Sequence, residues 1–307
     1  MMTDIGDLLQ KTSRTFALTI PFLPEPTRRE VGVAYLLFRI IDTFEDATHW
    51  PPGRRVEALA RFVPLVDGPP RAAASLVEEC ARDPPVDHAG YRELLAEIPL
   101  VLQAFGGLQP GARESIRRHL GRSAEGMKHF VMRSAGSEGL QLETIEDLRE
   151  YCYAVAGIVG EMLTELFLLG RPALAGVTED LRSRAAAFGE GLQLVNILKD
   201  AHRDAAERRV YLPRAASRRD VIALAHRDLV AAAAYTETLH TAEAEVGLVA
   251  FNALIAKLAV ATLQLVREKG PGAKLSRLQV AAIGVEVMHA LGRREPLFAD
   301  LSSTSAA

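Results

Sequence analysis

Three features of this sequence predict an all-α fold in a single domain. Aromatic residues make up only 6% of the chain, and alternating β-branched runs of the kind that build strands are missing. Ala, Leu, Glu and Arg dominate the long stretches between breaks, and these residues favour helix. Proline and glycine punctuate those stretches at Pro24 to Pro26, Pro51 to Gly53, Pro69-Pro70, Pro84-Pro85, Gly106 to Pro110, Pro172, Pro213 and Gly270 to Gly272. The breaks divide the chain into roughly eight to ten helices with short connections. No polar linker, composition shift or repeat separates them, so one domain over residues 1–307 is expected, with 301–307 as a frayed tail.

With 307 residues, 49% of them hydrophobic and 24% charged, the chain has material for a large core and the charge of an ordinary globular protein. A net charge of -3 excludes a global basic field, so no nucleic-acid partner is expected. An anionic substrate would need a local site built from metal ions or a few arginines. Cys80 and Cys152 have no framework spacing, which fits a reducing, cytoplasmic setting, and Cys152 reads as a small core residue. The first residues lack the basic start and apolar core of a signal peptide. Val246 to Val266 is apolar and about long enough to cross a bilayer, but Lys257 sits at its centre, where a cation is costly. A core helix is therefore expected there, in a chain that stays in solution without detergent.

Two helices carry acidic groups where burial is expected. Thr27 to about Thr48 is bounded by Pro26 and Pro51, and Val31, Val33, Leu36, Leu37, Ile40, Ile41 and Phe44 make it apolar on nearly every side. Tyr35, Arg39, Asp42 and Asp46 recur at helical spacing and form one narrow polar stripe. In the second helix Leu192, Leu194, Val195, Ile197 and Leu198 surround a stripe of Gln193, Asn196, Asp200 and Asp204. Like charges one turn apart raise each other's pKa when buried, so each pair needs a cationic partner. Mg²⁺ suits this need, because it takes one or two carboxylates and completes its shell with water and phosphate oxygens. Interhelical salt bridges satisfy the same pattern, and both readings stand at this point.

At these residues the sequence resembles the squalene/phytoene synthase family. The matching segments are Ser13 to Phe16, Tyr35 to Asp46, Tyr151 to Glu161 and Gly191 to Asp204, with Arg209 to Pro213 resembling the family's exit from the second acidic helix. Beyond residue 213 the likeness is only in helical, apolar character. The resemblance implies a one-domain isoprenoid-synthase bundle around a central hydrophobic channel. It assigns Asp42, Asp46, Asp200 and Asp204 to Mg²⁺ at the mouth, with Asn196 as an amide ligand. It places Ser13, Arg14, Thr15, Tyr35, Arg39, Gln193 and Lys199 around diphosphate or the metal shell, and Tyr151 facing the reacting carbons. Pairing of Arg39 with an aspartate, a surface position for Arg14 and cavity filling by Tyr151 are the plainer readings. Gly157 and Gly160 serve either close packing or channel shape, and His202 reads as an exposed helix residue. Two departures stand out: Arg203 where the squalene branch carries an acid, and Lys199 where arginine is usual.

The activity so implied is head-to-head joining of two farnesyl diphosphates through presqualene diphosphate to squalene, with Mg²⁺ and NADPH. Substrate chain length is open, because it depends on the side chain that floors the channel. Alternatives are a phytoene or dehydrosqualene synthase without reduction, a synthase that stops at presqualene diphosphate, or an inactive prenyl-binding scaffold. No Gly-x-Gly-x-x-Gly turn bounded by a strand is present, so NADPH would bind beside the helices, with Arg208 and Arg209 as the nearest cations. Peripheral membrane association is expected for release of an apolar product.

Overall fold

The computed structural model describes residues 4–13, 15–136 and 139–299. Arg14 and the tail 301–307 lie outside the described residues. The chain forms two compact units, Met1–Pro21 with Glu25–Leu140, and Phe22–Pro24 with Gln141–Ala307. Both are helical. Strand among the described residues is confined to Leu140–Gln141 and Arg209–Val210.

The first unit contains α1 (Ile5–Thr12), α2 (Phe16–Thr19), α3 (Thr27–Glu45), α4 (Pro52–Phe62), α5 (Ala74–Arg82), α6 (Ala89–Ala96), α7 (Ile98–Gly106) and α8 (Pro110–Arg133). Proline opens α4 and α8, where its missing N–H leaves no bond unmade. The central element is α3, which packs against α1, α4, α6, α7 and α8. Its apolar residues, Val31 through Phe44, are buried on all sides.

The second unit contains α9 (Ile145–Cys152), α10 (Ile158–Leu168), α11 (Thr178–Ala206), α12 (Arg218–Thr241), α13 (Val246–Lys269) and α14 (Arg277–Arg293). Capping boxes start α9 at Thr144 and Asp147, α12 at Ser217 and Asp220, and α14 at Ser276 and Gln279. Its central helix is α11, packed against α9, α10, α12 and α13. Among the described residues eight α-helices have eleven or more residues; the other six are short pieces that proline-based counting merges or passes over.

Among the described residues two helical stretches, Ile145–Leu168 and Val246–Lys269, are long and apolar enough to cross a membrane. In α13 the run Leu248 to Ala256 is buried throughout, as a core helix requires. Lys257 forms an ion pair with Glu286 of α14, which answers the charge in the middle of the run. Cys80 and Cys152 are buried and unpaired with each other. Burial pushes the Cys80 thiol up to about 12 and raises that of Cys152, so both are packing residues rather than nucleophiles.

Between α9 and α10 the chain makes a wide π-turn over Tyr153–Gly157. Here α11 approaches closely. A Cβ on Gly160 would collide with the carbonyl oxygen of Ala185, and one on Gly189 with that of Ala156. The glycines are therefore packing devices in two helices that meet backbone to backbone. Gly189→Ala is expected to cost roughly 1–3 kcal/mol in urea unfolding, the usual range for an overfilled contact. Gly176→Ala, where nothing lies within 4 Å of the added carbon, is expected to leave stability nearly unchanged.

Candidate active site at two acidic helix ends

In α3, every residue from Glu30 to Ala47 is buried except four: Tyr35, Arg39, Asp42 and Asp46. These are the residues of the sequence stripe. The helix ends three residues before the expected Thr48, because Asp46 is its C-cap. Both aspartates therefore stand in the last turn, where unpaired carbonyls gather the negative end of the helix dipole. Like charge is stacked on like charge, a costly arrangement unless a cation occupies it.

Arg39 supplies part of that charge. Its Nη1 lies 3.4 Å from Asp42 Oδ2, and its Nε donates to the Tyr35 hydroxyl at 3.3 Å. The Tyr35 hydroxyl in turn donates to the carbonyl of Thr12 at 2.9 Å, which fixes the end of α1 beside the stripe. The guanidinium lies 5.4 Å from the Tyr35 ring centre and 5.5 Å from that of Tyr91, within cation–π range. Burial works against the Arg39 charge, but Asp42 and the two tyrosines hold its pKa above the ordinary value. Asp42 keeps 29% of its side chain exposed. Even so, the protein packed around it pushes its pKa to about 6, with Arg39 lowering it and Asp46 raising it. Arg39 thus holds the Asp42 charge against burial and against the like charge of Asp46.

Ser13 serves the backbone locally, its hydroxyl accepting from the N–H groups of Phe16 and Ala17 at 2.9 and 3.3 Å. Thr15 is exposed at the start of α2. Tyr91, on α6, is a site residue that sequence reasoning missed. Nothing in the short amphipathic stretch around it distinguishes it from a packing aromatic.

In the second unit, Asp200 and Asp204 occupy the last two turns of α11, again at the carbonyl end. Here side-chain cations surround them. Asp200 Oδ2 is 3.3 Å from Lys199 Nζ and 3.4 Å from Arg203 Nη2. Arg203 also lies 3.5 Å from Asp204 Oδ1, and Arg209 lies 3.9 Å from it. Lys199 Nζ donates to Asn196 Oδ1 at 3.0 Å, tying the amide to the stripe. Asp204 is buried, Gln193 half-buried and Asn196 exposed, so this stripe is less even than the first. His202 is exposed, as expected. Arg209 also pairs with Glu207, whereas Arg208 faces solvent.

Tyr151 ends up buried at the last turn of α9. Its hydroxyl donates to that of Tyr211 at 3.1 Å, and the two rings stack with centres 4.7 Å apart. Tyr211 is a second residue that local pattern did not single out, being sixty positions away. Nearby Glu190 and Asp228, on α11 and α12, are buried carboxylates, and Arg149 lies 3.7 Å from Glu190.

A divalent cation fits this donor set in one way. Among the described residues no group of three or more His, Cys, Asp or Glu side chains gathers, so a closed protein cage is not available. Each helix end offers a pair of carboxylates. A pair suffices for Mg²⁺ that keeps waters and takes phosphate oxygens, and Asp42 and Asp46, one turn apart at the end of α3, offer such a pair.

Comparison with known proteins then decides the kinship. The squalene/phytoene synthase family model matches residues 9–219. The chain belongs to the squalene/phytoene synthase family. The match ends in the first turn of α12 and covers both acidic helices, Tyr151 and Tyr211. The squalene synthase of Schizosaccharomyces pombe is 31% identical over 210 residues, covering 67% of this chain and 43% of that protein. This chain thus spans less than half the length of that relative. A solved structure of TcSQS with the ligand BPH1237 superposes with a TM-score of 0.75 at 26% identity, covering 92% of this chain and 85% of that one. A ligand-bound dehydrosqualene synthase shares the fold, with a TM-score of 0.62 at 22% identity over 94% of this chain and 95% of that one. The all-α architecture of the isoprenoid synthases is therefore the fold of this family member.

The buried Glu190 has a pH signature. Burial, with Asp228 adding to it, pushes its pKa up to about 7, against the lowering pull of Arg149. The folded state thus binds this proton more tightly than the unfolded chain, and stability is lost as pH rises from about 4.5 through 7. Glu190→Gln, which mimics the protonated form, is expected to melt higher than the wild type at pH 8. That advantage should shrink toward zero at pH 4.5 in paired thermal melts.

Proposed function

We propose that this chain joins two isoprenoid diphosphates head to head, with farnesyl diphosphate as substrate, presqualene diphosphate as intermediate and squalene as product. The observation that carries the reading is the α3 stripe. In a helix otherwise buried from Glu30 to Ala47, only Tyr35, Arg39, Asp42 and Asp46 reach toward solvent, and they are diphosphate- and metal-binding types in a family of prenyl synthases. Kinship with squalene synthases supports the choice of product. Cytoplasmic action as one functional domain, with peripheral membrane association for release of the hydrocarbon, completes the proposal.

Departure of diphosphate from an allylic carbon leaves a carbocation, so charge must be stabilised at one place and water excluded at another. Bound Mg²⁺ would supply neutralisation of the leaving group. Asp42 and Asp46, with Asp200, Asp204 and Asn196, would hold the ions. Arg39 is fixed between two tyrosines and already poised, so it costs no reorganisation when charge develops. Lys199 would contribute a mobile point charge where a guanidinium would give a bidentate grip. Aliphatic side chains packed around both acidic helices would keep water from the cation. The buried Tyr151–Tyr211 pair would present a rigid aromatic wall with its hydroxyls already satisfied.

NADPH meets no dinucleotide-binding turn among the described residues, whose strands are two residues long, and Arg209 is committed to Asp204 and Glu207. The reductive finish in the proposal therefore rests on kinship with squalene synthases alone.

The test is incubation of the purified chain with farnesyl diphosphate and Mg²⁺, with and without NADPH, followed by extraction. Squalene with NADPH, and presqualene diphosphate or unsaturated products without it, are expected. Dehydrosqualene or phytoene with NADPH unconsumed would replace the reading by the non-reducing one, and no product at all would favour the scaffold. Asp42→Asn and Asp200→Asn are each expected to lower turnover by about a hundredfold or more, as loss of a charge-stabilising group does, with far-ultraviolet circular dichroism unchanged. Near wild-type turnover in either variant would remove that residue from the metal set.

A further inference from the structure

The last helix of the second unit is turned inside out relative to an ordinary surface helix. On its inner side α14 packs against α13 through Val287, Ala290 and Leu291, which are buried. On its outer side Leu278 is 83% exposed, Val285 70% and Met288 44%. At 100° per residue these three, with the exposed Ala281 and Ala282 between them, share one continuous arc. His289 is the one polar residue on that arc. Glu286 stands at its margin and is tied back to Lys257 of α13. A surface helix normally turns charge outward; this one turns leucine, valine and methionine outward.

The surrounding charge points to the occupant. From Arg267 to Arg294 the chain carries six Lys or Arg and two Glu, in a protein of net charge -3. Arg267, Lys269, Lys274 and Arg277 are exposed at the end of the arc that begins with Leu278, whereas Arg293 and Arg294 at the other are paired with Glu295 and Glu243. An apolar stripe about 15 Å long from Leu278 to Met288, with basic groups at its first end, matches a helix lying in the plane of an anionic membrane surface. Its side chains enter the acyl boundary while its lysines and arginines meet the headgroups. A second copy of this chain fits less well. A parallel pair of α14 helices would bring the basic ends at Lys274 and Arg277 of two copies together.

We propose that the outer face of α14 is the surface by which this protein docks on anionic bilayers, with Leu278, Val285 and Met288 inserted and Lys274 and Arg277 on the headgroups. This deepens the peripheral association proposed above and rests on that part of the reading alone, since none of these residues belongs to the acidic helix ends.

Co-sedimentation of the full chain with sonicated vesicles tests it, comparing equimolar phosphatidylcholine and phosphatidylglycerol with pure phosphatidylcholine. The wild type is expected to sediment with the anionic vesicles and to be released by high salt. Leu278→Glu with Val285→Glu should weaken partitioning by about tenfold or more, given the transfer energy of two large aliphatic side chains. Lys274→Glu with Arg277→Glu should remove the preference for anionic lipid. All four positions are exposed, so circular dichroism and turnover on farnesyl diphosphate should match the wild type, which separates failure of this surface from failure of the reaction. Undiminished binding by the Leu278/Val285 variant, or no binding by the wild type, overturns the proposal. So does light scattering that shows a dimer abolished by that variant, which would make a second copy the occupant.

Discussion

Two pairs of aspartates sit at the carbonyl ends of two helices whose other sides are packed with aliphatic groups, and this placement constrains everything around them. A helix end already carries partial negative charge, and an apolar neighbourhood withholds the water that would screen it. The folded chain therefore keeps a local excess of negative charge that only cations can relieve. In α3 one arginine, held by Tyr35 and Tyr91, pairs with Asp42, and burial still pushes Asp42 to about 6. In α11 the cations are Lys199, Arg203 and Arg209, around Asp200 and Asp204.

That asymmetry bears on the two departures from the family pattern. Arg203 stands where the squalene branch carries an acid, and it bridges both aspartates of its helix. Lys199 stands where arginine is usual, and it reaches Asp200 and Asn196 together. Both are long, flexible side chains near the end of a helix. Swinging away from the carboxylates would cost little if a diphosphate took their charge, whereas a fixed buried pair would resist such an exchange. Arg39, held by two tyrosines, is thus the more fixed cation, and Lys199 and Arg203 are the more adaptable ones.

The sequence made the site legible wherever neighbours in the chain are neighbours in space. A helix makes i, i+4, i+7 and i+11 one line, so Tyr35, Arg39, Asp42 and Asp46 could be read as a stripe, and they are the residues that escape burial between Glu30 and Ala47. Lys257 in its apolar run announced a core helix needing a counter-charge, and Glu286 provides it. Contacts between distant segments left no such trace. Tyr91 over Arg39 and Tyr211 on Tyr151 each join distant elements, and an isolated tyrosine carries no periodic signal. In the sequence nothing sets Glu190 apart from the other charges of a long helix, and only the fold brings Asp228 of α12 to bear on it. Ser13, read as a substrate group, is occupied with the N–H groups of Phe16 and Ala17, a local turn that a motif match does not reveal. The glycines of the Tyr151 to Glu161 segment were ambiguous for the same reason: only the position of α11 shows what a Cβ would strike.

The central claim is that the paired aspartates are built for a divalent cation and a diphosphate rather than for salt bridges within the fold. Thermal unfolding of the wild type with Mg²⁺ and inorganic diphosphate, separately and together, tests it most directly, because a ligand bound only by the folded state stabilises it by mass action. The account predicts a small rise in melting temperature with either alone and a larger, saturable rise with both. At a hundredfold excess over the dissociation constant that rise corresponds to about 2.7 kcal/mol, and it should be reduced in Asp42→Asn and in Asp200→Asn. A wild type whose melting is indifferent to the combination, with variants that unfold at lower temperature in buffer alone, would contradict it.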